Sequence, residues 1–290
     1  MADRRARRSQ NVDGELFVDE SCIDCDTCRW MAPGVYDRVD GKSRVHRQPA
    51  DEAERDLALA ALLSCPTASI GSEASFDARA AAALLPLPVD GPVHHCGYHH
   101  EASFGAASYL LQRPEGNVLV DSPRFNRPLV EQLERLGGVA TMFLTHIDDV
   151  ADHEKFVGHF GCERVMHADD LGGACPEVEH PVEGSEPVAL ADDLLVVPVP
   201  GHTRGSACLL ASDTWLFTGD HLAWSRSLGH LYAFASACWY DWDVQRASME
   251  RLLEHRFSWV LPGHGTRAHL EPDAMADGLR HCVAWMATAR

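Results

Sequence analysis

The stretch 144-LTHIDDVADH-153 places two histidines and three aspartates within ten residues. It follows the apolar run from Ala140 to Leu144, which reads as a buried strand. A strand that empties into imidazoles and carboxylates points to a metal site at its end. Three more clusters share this form: 200-PGHTRGS-206, 217-FTGDH-221 and 261-LPGHG-265. Each sits at the end of a strand-like run, with glycine beside the candidate ligand. Glycine lets the backbone turn sharply enough for a side chain to face a shared centre. Four strand ends delivering His and Asp to one sheet edge make a multidentate site.

A second pattern lies far upstream. Residues 22–28 read CIDCDTC, and Ser64-Cys65-Pro66 follows later. Three cysteines at two-residue gaps plus a remote Cys-Pro is iron–sulfur spacing. In two-cluster proteins a further cysteine follows the run after three residues and ligates the other cluster. Here that place is Ala32, before Pro33, so Cys22, Cys25, Cys28 and Cys65 serve a single [4Fe–4S] cluster. Zinc modules bring separated cysteine pairs and fit this run poorly. The segment FVDESCIDCDTCRWMAPGVYDRVDGKSRV…LSCPTASI resembles bacterial single-cluster [4Fe–4S] ferredoxins, which implies a compact α+β domain carrying one electron at a time.

The His/Asp motifs resemble the metallo-β-lactamase superfamily over about residues 93–290, and GYHHEASFGAASYLL…NVLVDSPRF is similar to its first hairpin. The resemblance implies an αβ/βα sandwich with metals at one edge. Carried over residue by residue, it implies His146, His202 and Asp220 as ligands of a first site. Asp152, Asp220 and His264 belong to a second, Asp220 bridging. His153 matches a second-site ligand of the hydrolases, and Asp152 the residue that orients a metal-bound hydroxide. The usual motif H-x-H-x-D-H is H-x-D-x-x-x-D-H here. Asp148 stands in place of the second histidine, two extra residues follow, and Asp149 is the alternative inward carboxylate. Carboxylate for imidazole shifts preference from zinc towards iron or manganese.

The expected organisation is therefore a disordered tail (1–13), a ferredoxin-like α+β domain (14–71), a linker with a short Ala-rich helix (72–92) and a metallo-β-lactamase-type αβ/βα sandwich (93–290). Strands are expected at 108–113, 117–122, 140–145, 194–199, 207–211, 214–219 and 258–263, with helices at 127–137, 152–160 and 243–255. A formal charge of −18 disfavours nucleic acid as a partner, because phosphate binding needs clustered Lys and Arg. No apolar run is long enough to span a membrane, and the basic MADRRARRSQ lacks the hydrophobic segment of a signal peptide. Ten cysteines in 290 residues fit metal ligation in a reducing, cytoplasmic setting better than a disulfide framework.

The leading functional expectation is an oxidoreductase in which the ferredoxin domain feeds electrons to a mono- or di-iron centre acting on a small molecule, with a reductase as redox partner. The alternative is a zinc or mixed-metal hydrolase of an ester, thioester or phosphoester with a structural or sensing cluster. A third is an electron-transfer partner with a degenerate metal site. His94, His95, His99 and His100 read as structural histidines, with His99 or His100 as a competing proton shuttle. Cys162, Cys175, Cys208, Cys238 and Cys282 read as small buried hydrophobes. Trp239, Tyr240 and Trp242 read equally as a pocket cap or as core. Arg124 is a weak candidate for an anionic substrate. Oligomeric state is open.

Overall fold

A computed structural model describes residues 2–289. The chain divides into two compact units, Met1–Ala140 with Ala151–Phe160, and Thr141–Val150 with Gly161–Arg290.

The first unit opens with β1 (Leu16–Val18), α1 (Thr27–Met31), β2 (Tyr36–Val39), β3 (Lys42–Val45), α2 (Glu52–Ser64) and β4 (Ile70–Ser72). β1 pairs antiparallel with β4, bringing the two cysteine motifs together: Phe17 faces Gly71, five residues before Cys22 and six beyond Cys65. β2 and β3 form a hairpin turned by Asp40-Gly41, both at positive φ, as a tight two-residue turn requires. α2 starts at Asp51, whose carboxylate accepts from Glu54 N, while Glu54 reaches back to Ala50 N. That reciprocal capping sets where the helix begins. Its Ala58, Leu59 and Ala61 face the core.

Residues 2–13 are ordered, contrary to the expected tail. Arg4–Ala6 form a 3-10 turn, and Arg8 is buried, bonded to Glu20 and Val39 O. Asn11 explains the order. Its Oδ1 accepts from Val18 N and Val45 N, and its Nδ2 donates to Val18 O and Arg8 O. The side chain thus bridges β1 and β3 where no ladder joins them.

The unit continues with α3 (Ala78–Ala83), β5 (Leu87–Asp90), β6 (Val93–His95), β7 (Tyr109–Leu111), β8 (Val118–Val120), α4 (Arg127–Arg135) and, after residue 150, α5 (His153–Phe160). β5 to β8 form an antiparallel run in sequence order. The expected linker holds its short helix, α3, but its Pro-containing end is β5. Pro88 is tolerated there because β5 ends the strand order. α4 carries the Asn126 cap and buries Leu129, Val130 and Leu133. The boundary between units does not fall at 72–92, because residues 95–105 are bonded to the cysteine segment, as described below.

The second unit comprises β9 (Thr141–Phe143), β10 (Glu163–His167), β11 (His180–Val182), β12 (Val188–Ala191), β13 (Leu194–Pro198), β14 (Ala207–Ala211), β15 (Trp215–Gly219), β16 (Ala223–Ser225), β17 (His230–Tyr232), α6 (Trp242–Arg251), β18 (Trp259–Pro262), β19 (Ala268–His269) and α7 (Pro272–Met286). β9, β10 and β11 run parallel. β12 to β15, β18 and β19 form a six-stranded mixed sheet. Its core joins Val197, Leu210, Leu216 and Val260 to Met249 of α6 and to Met275, Leu279 and Met286 of α7. α7 was not among the expected helices, although its apolar residues recur at helical spacing. No helix among the described residues is long and apolar enough to cross a membrane.

Asn11→Ala removes the side-chain acceptor of two backbone amides, Val18 N and Val45 N, and one of two donors to the Val18 and Arg8 carbonyls. It should lower the unfolding free energy by about 2 kcal/mol, with the cysteine site chemically unchanged. Anaerobic denaturant titration of the intact chain measures this, and a difference within error would deny Asn11 its bridging role.

Candidate metal centres

In the first unit, Cys22, Cys25, Cys28 and Cys65 line one cavity with Thr27 and Ser43. All four are free thiols. Burial pushes the Cys25 thiol up to about 11, with Cys65 and Cys22 adding to the rise, and burial pushes Cys28 well up too. The Cys25 and Cys28 thiols ionise only against a strong positive centre, which is what a metal cluster supplies. Donors already face the sulfurs: Ser43 N lies 3.4 Å from Cys22 Sγ and Ser69 N 3.3 Å from Cys65 Sγ. Arg29 is buried, bonded to Asp24, Asp26 and Ser43 Oγ, and places a positive charge behind Cys28. The residues present fit a cubane cluster.

In the second unit, the ends of β9, β13, β15 and β18 deliver His146, His202, Asp220 and His264. Two groups gather: His146, Asp148 and His202, and His146, Asp149 and Asp220, with one ligand atom from each residue lying within 4.8 Å of the others. His202 Nε2 is 3.4 Å from Asp148 Oδ2 and 3.8 Å from Asp220 Oδ2. His146 Nε2 is 3.8 Å from Asp149 Oδ2 and 4.0 Å from Asp220 Oδ2. Both Asp148 and Asp149 lie in these groups. Ile147–Asp149 form a 3-10 turn, which turns one carboxylate towards His202 and the next towards His146. Asp149 is buried, whereas the Asp148 side chain is 45% exposed.

Among the described residues, neither His146 Nε2 nor either ring nitrogen of His202 has a hydrogen-bond partner, though all are buried. Orphaned buried nitrogens facing carboxylates at 3.4–4.0 Å are costly unless a cation lies between them. Burial pushes His146 down to about 4, against the pull of Asp220, so it presents a neutral lone pair. Burial raises the Asp220 carboxyl, but His264, His146 and His202 together outweigh this and hold it below the usual range. The His202 imidazole, helped by His146, holds Asp148 low despite partial burial. The donor set fits a metal.

Supporting contacts aim these ligands. Thr145 Oγ1 lies 2.9 Å from His146 Nδ1, which leaves Nε2 for the metal. The His202 carbonyl accepts from Trp239 N and Tyr240 N. His264 Nδ1 sits 2.8 Å from Asp220 Oδ1, so a metal bond from this ring would come from Nε2. Asp170 was missed in the sequence. Its Oδ2 accepts from Ile147 N and Thr203 Oγ1, and its Oδ1 from Gly205 N. One buried carboxylate thereby ties the His146 turn to the His202 turn. The signal available was Asp169-Asp170 at the end of a strand, no stronger than many others. His221 is buried beside Asp220, and burial, with His202, pushes it down to about 3.

Asp152 and His153 lie in the first unit, and neither belongs to a gathered group among the described residues. Asp152 accepts from Phe125 N and Lys155 Nζ, with His100 Nε2 at 3.7 Å. These contacts tie α5 to the 124–126 turn. His153 is buried at the first position of α5. Arg124 donates to Leu63 O and lies over the Tyr98 ring, a structural use rather than one facing an anion. Trp239 and Tyr240 are largely exposed, while Trp242 packs on the α7 side and donates to Met286 O. Cys162, Cys175, Cys208 and Cys282 are buried.

Residues 18–72 match the 4Fe-4S single cluster domain of Ferredoxin I. No curated protein matches the sequence. Among solved structures, DIM-1 metallo-β-lactamase exposed to ceftazidime is 19% identical with a TM-score of 0.54, over 70% of this chain and 96% of that one. A metallo-β-lactamase from Pontibacter korlensis is 18% identical with a TM-score of 0.51, over 70% and 98%. FIM-1 from Pseudomonas aeruginosa, in its mono-zinc form, is 17% identical with a TM-score of 0.51, over 70% and 95%. Such identities establish a shared fold and no shared activity. The chain therefore joins a single-cluster [4Fe–4S] domain of the Ferredoxin I type, at residues 18–72, to the metallo-β-lactamase fold.

Proposed function

We propose that this protein is an oxidoreductase in which the ferredoxin domain supplies electrons to an iron centre held by His146, Asp148, Asp149, His202 and Asp220, with His264 closing the set. The observation that carries this reading is the second carboxylate. Asp148 gathers with His146 and His202, and Asp149 with His146 and Asp220, so carboxylates are as prominent as imidazoles in the set. Oxygen-rich sets favour iron or manganese over zinc. The same chain carries a one-electron cluster domain, and covalent linkage keeps the donor at high local concentration.

An iron centre, when bound, would exchange electrons with a small oxidising substrate. The chain's own work is orientation. Thr145 aims the His146 ring, Asp170 holds the turns that carry His146 and His202, and His264 holds the Asp220 carboxylate. Glycine makes the carboxylate approach feasible. A Cβ on Gly263 would fall 2.8 Å from Asp149 Oδ2 and 3.0 Å from Asp220 Oδ1.

A metallohydrolase is the second reading. The His146 and His202 rings stand edge to face 4.7 Å apart with their Nε2 atoms unpartnered, an imidazole pair that zinc also accepts. FIM-1, which shares the fold, has a mono-zinc form. In that reading the cluster is structural or sensing.

The deciding experiment reduces the cluster anaerobically in the intact chain, admits oxygen, and follows both centres by EPR with elemental analysis. Cluster oxidation should track changes at the second centre, and His202→Ala should slow it. A second site holding only zinc, with ester or thioester turnover indifferent to cluster oxidation state, would establish the hydrolase instead. Asp148→His should raise the zinc-to-iron ratio of the second site several-fold on mixed-metal loading; an unchanged ratio would show that Asp148 does not select the metal. Gly263→Ala should weaken second-site metal binding by about tenfold while cluster iron and sulfide stay full, because two ligating carboxylates must move.

A further inference from the structure

His99 is a buried titratable side chain that the metal centres do not use directly, and it is bonded at both ring nitrogens. It is 1% exposed. Nδ1 lies 2.6 Å from Gly105 O and 2.9 Å from Thr27 Oγ1. Nε2 lies 2.7 Å from His95 Nε2. A carbonyl oxygen only accepts, so His99 Nδ1 carries the proton. Nε2 then accepts, and His95 Nε2 donates. On its far side, Thr27 Oγ1 is 3.4 Å from Cys25 Sγ. A cluster-bound cysteine is a thiolate and only accepts, so in the Thr27–Cys25 bond the hydroxyl donates; Gly105 O, at 3.3 Å, is its other acceptor. The His99 Nδ1 proton is shared between Gly105 O and Thr27 Oγ1, and the chain His95–His99–Thr27 ends at Cys25 Sγ.

The surroundings fix this alignment. His99 N donates to Ser64 O, the residue before Cys65. The Trp30 ring of α1 lies 4.7 Å from His95 and 6.0 Å from His99. The 95–105 segment presses on the cysteines: a Cβ on Gly105 would fall 2.9 Å from Cys25 Cβ and 3.1 Å from its Sγ, and Gly105 holds φ +87°. The ferredoxin-type domain thus receives part of the shell around its cysteines from residues beyond its own limit at 72.

We propose that His99 sets the reduction potential of the cluster, acting through Thr27 on Cys25 Sγ. This rests on the reading that Cys22, Cys25, Cys28 and Cys65 hold the cluster. An added electron spreads partly onto the thiolate sulfurs and strengthens any O–H···S bond to them. Such a bond therefore favours the reduced state and raises the potential. The His99 N–H, shared between Gly105 O and Thr27 Oγ1, makes that hydroxyl a better donor, and His95 reinforces it in turn. His99 is a positioning residue here, because it touches no cluster ligand itself.

The test is an EPR-monitored potentiometric titration of the full-length protein, with iron and sulfide counted per chain. Thr27→Val removes the hydroxyl at nearly constant volume and should shift the midpoint potential to more negative values; Thr27→Ser should restore it. At position 99 an asparagine amide takes the place of Nδ1, whereas a glutamine amide takes that of Nε2. His99→Asn should stay near wild type, and His99→Gln should shift negative. A merely structural histidine would alter stability in both variants without this ordering. A full cluster with wild-type potential in either Thr27→Val or His99→Gln would overturn the proposal. A wild-type protein unable to bind four irons per chain would overturn the cluster reading instead.

Discussion

Carboxylates gathered around two buried imidazoles set the constraint on which the candidate site of the second unit depends. Asp148, Asp149 and Asp220 converge on two buried imidazoles whose metal-facing nitrogens have no hydrogen-bond partner among the described residues. Such an arrangement is unfavourable by itself and becomes favourable only around a cation. Much of the local architecture serves that convergence. The 3-10 turn at 147–149 splits two neighbouring carboxylates between two histidines. Asp170 ties two turns with three hydrogen bonds. Gly219, at φ +48°, leaves space that a Cβ would take from Thr145 and His146.

The cysteine site meets the same constraint with a different chemistry. Four thiols share one cavity, and burial opposes the ionisation of Cys25 and Cys28. Donors from Ser43, Ser69 and Thr27 already face the sulfurs, and Arg29 places a positive charge behind them. Both sites thus gather donor side chains that a bound cation would stabilise. They differ in softness: thiolate suits an iron–sulfur cluster, whereas carboxylate with imidazole suits a hard or borderline ion. The presence of both donor sets in one chain is why the oxidoreductase reading is preferred to hydrolysis.

The contact between residues 95–105 and the cysteine segment changes how the domains are understood. A ferredoxin-type domain ending at residue 72 suggests a module attached by a linker. The structure instead bonds His99 to Thr27 and Ser64, and packs Gly105 against Cys25. β5, drawn from the supposed linker, pairs with β6 directly before these residues. The cysteine segment and the β5–β8 run consequently belong to one compact unit.

Spacing alone made several features legible. The C-x₂-C-x₂-C run with its remote Cys-Pro identifies the cluster type because a cubane imposes that spacing on any chain that wraps it. His146, His202, Asp220 and His264 were legible because strand ends beside glycines are where this kind of fold can present ligands, and a strand's direction is a local property. What stayed hidden depends on partners distant in sequence. The two-carboxylate choice at 148–149 was decided by a turn whose direction Asp170 helps to hold, 23 residues from Ile147. The ordered N-terminus depends on Asn11 reaching Val45, 34 residues away. The His99–Thr27 bond spans 72 residues. Periodicity and motif report which groups a segment offers, whereas the partner each group finds is set by packing of the whole chain, and there the tertiary structure alone decides.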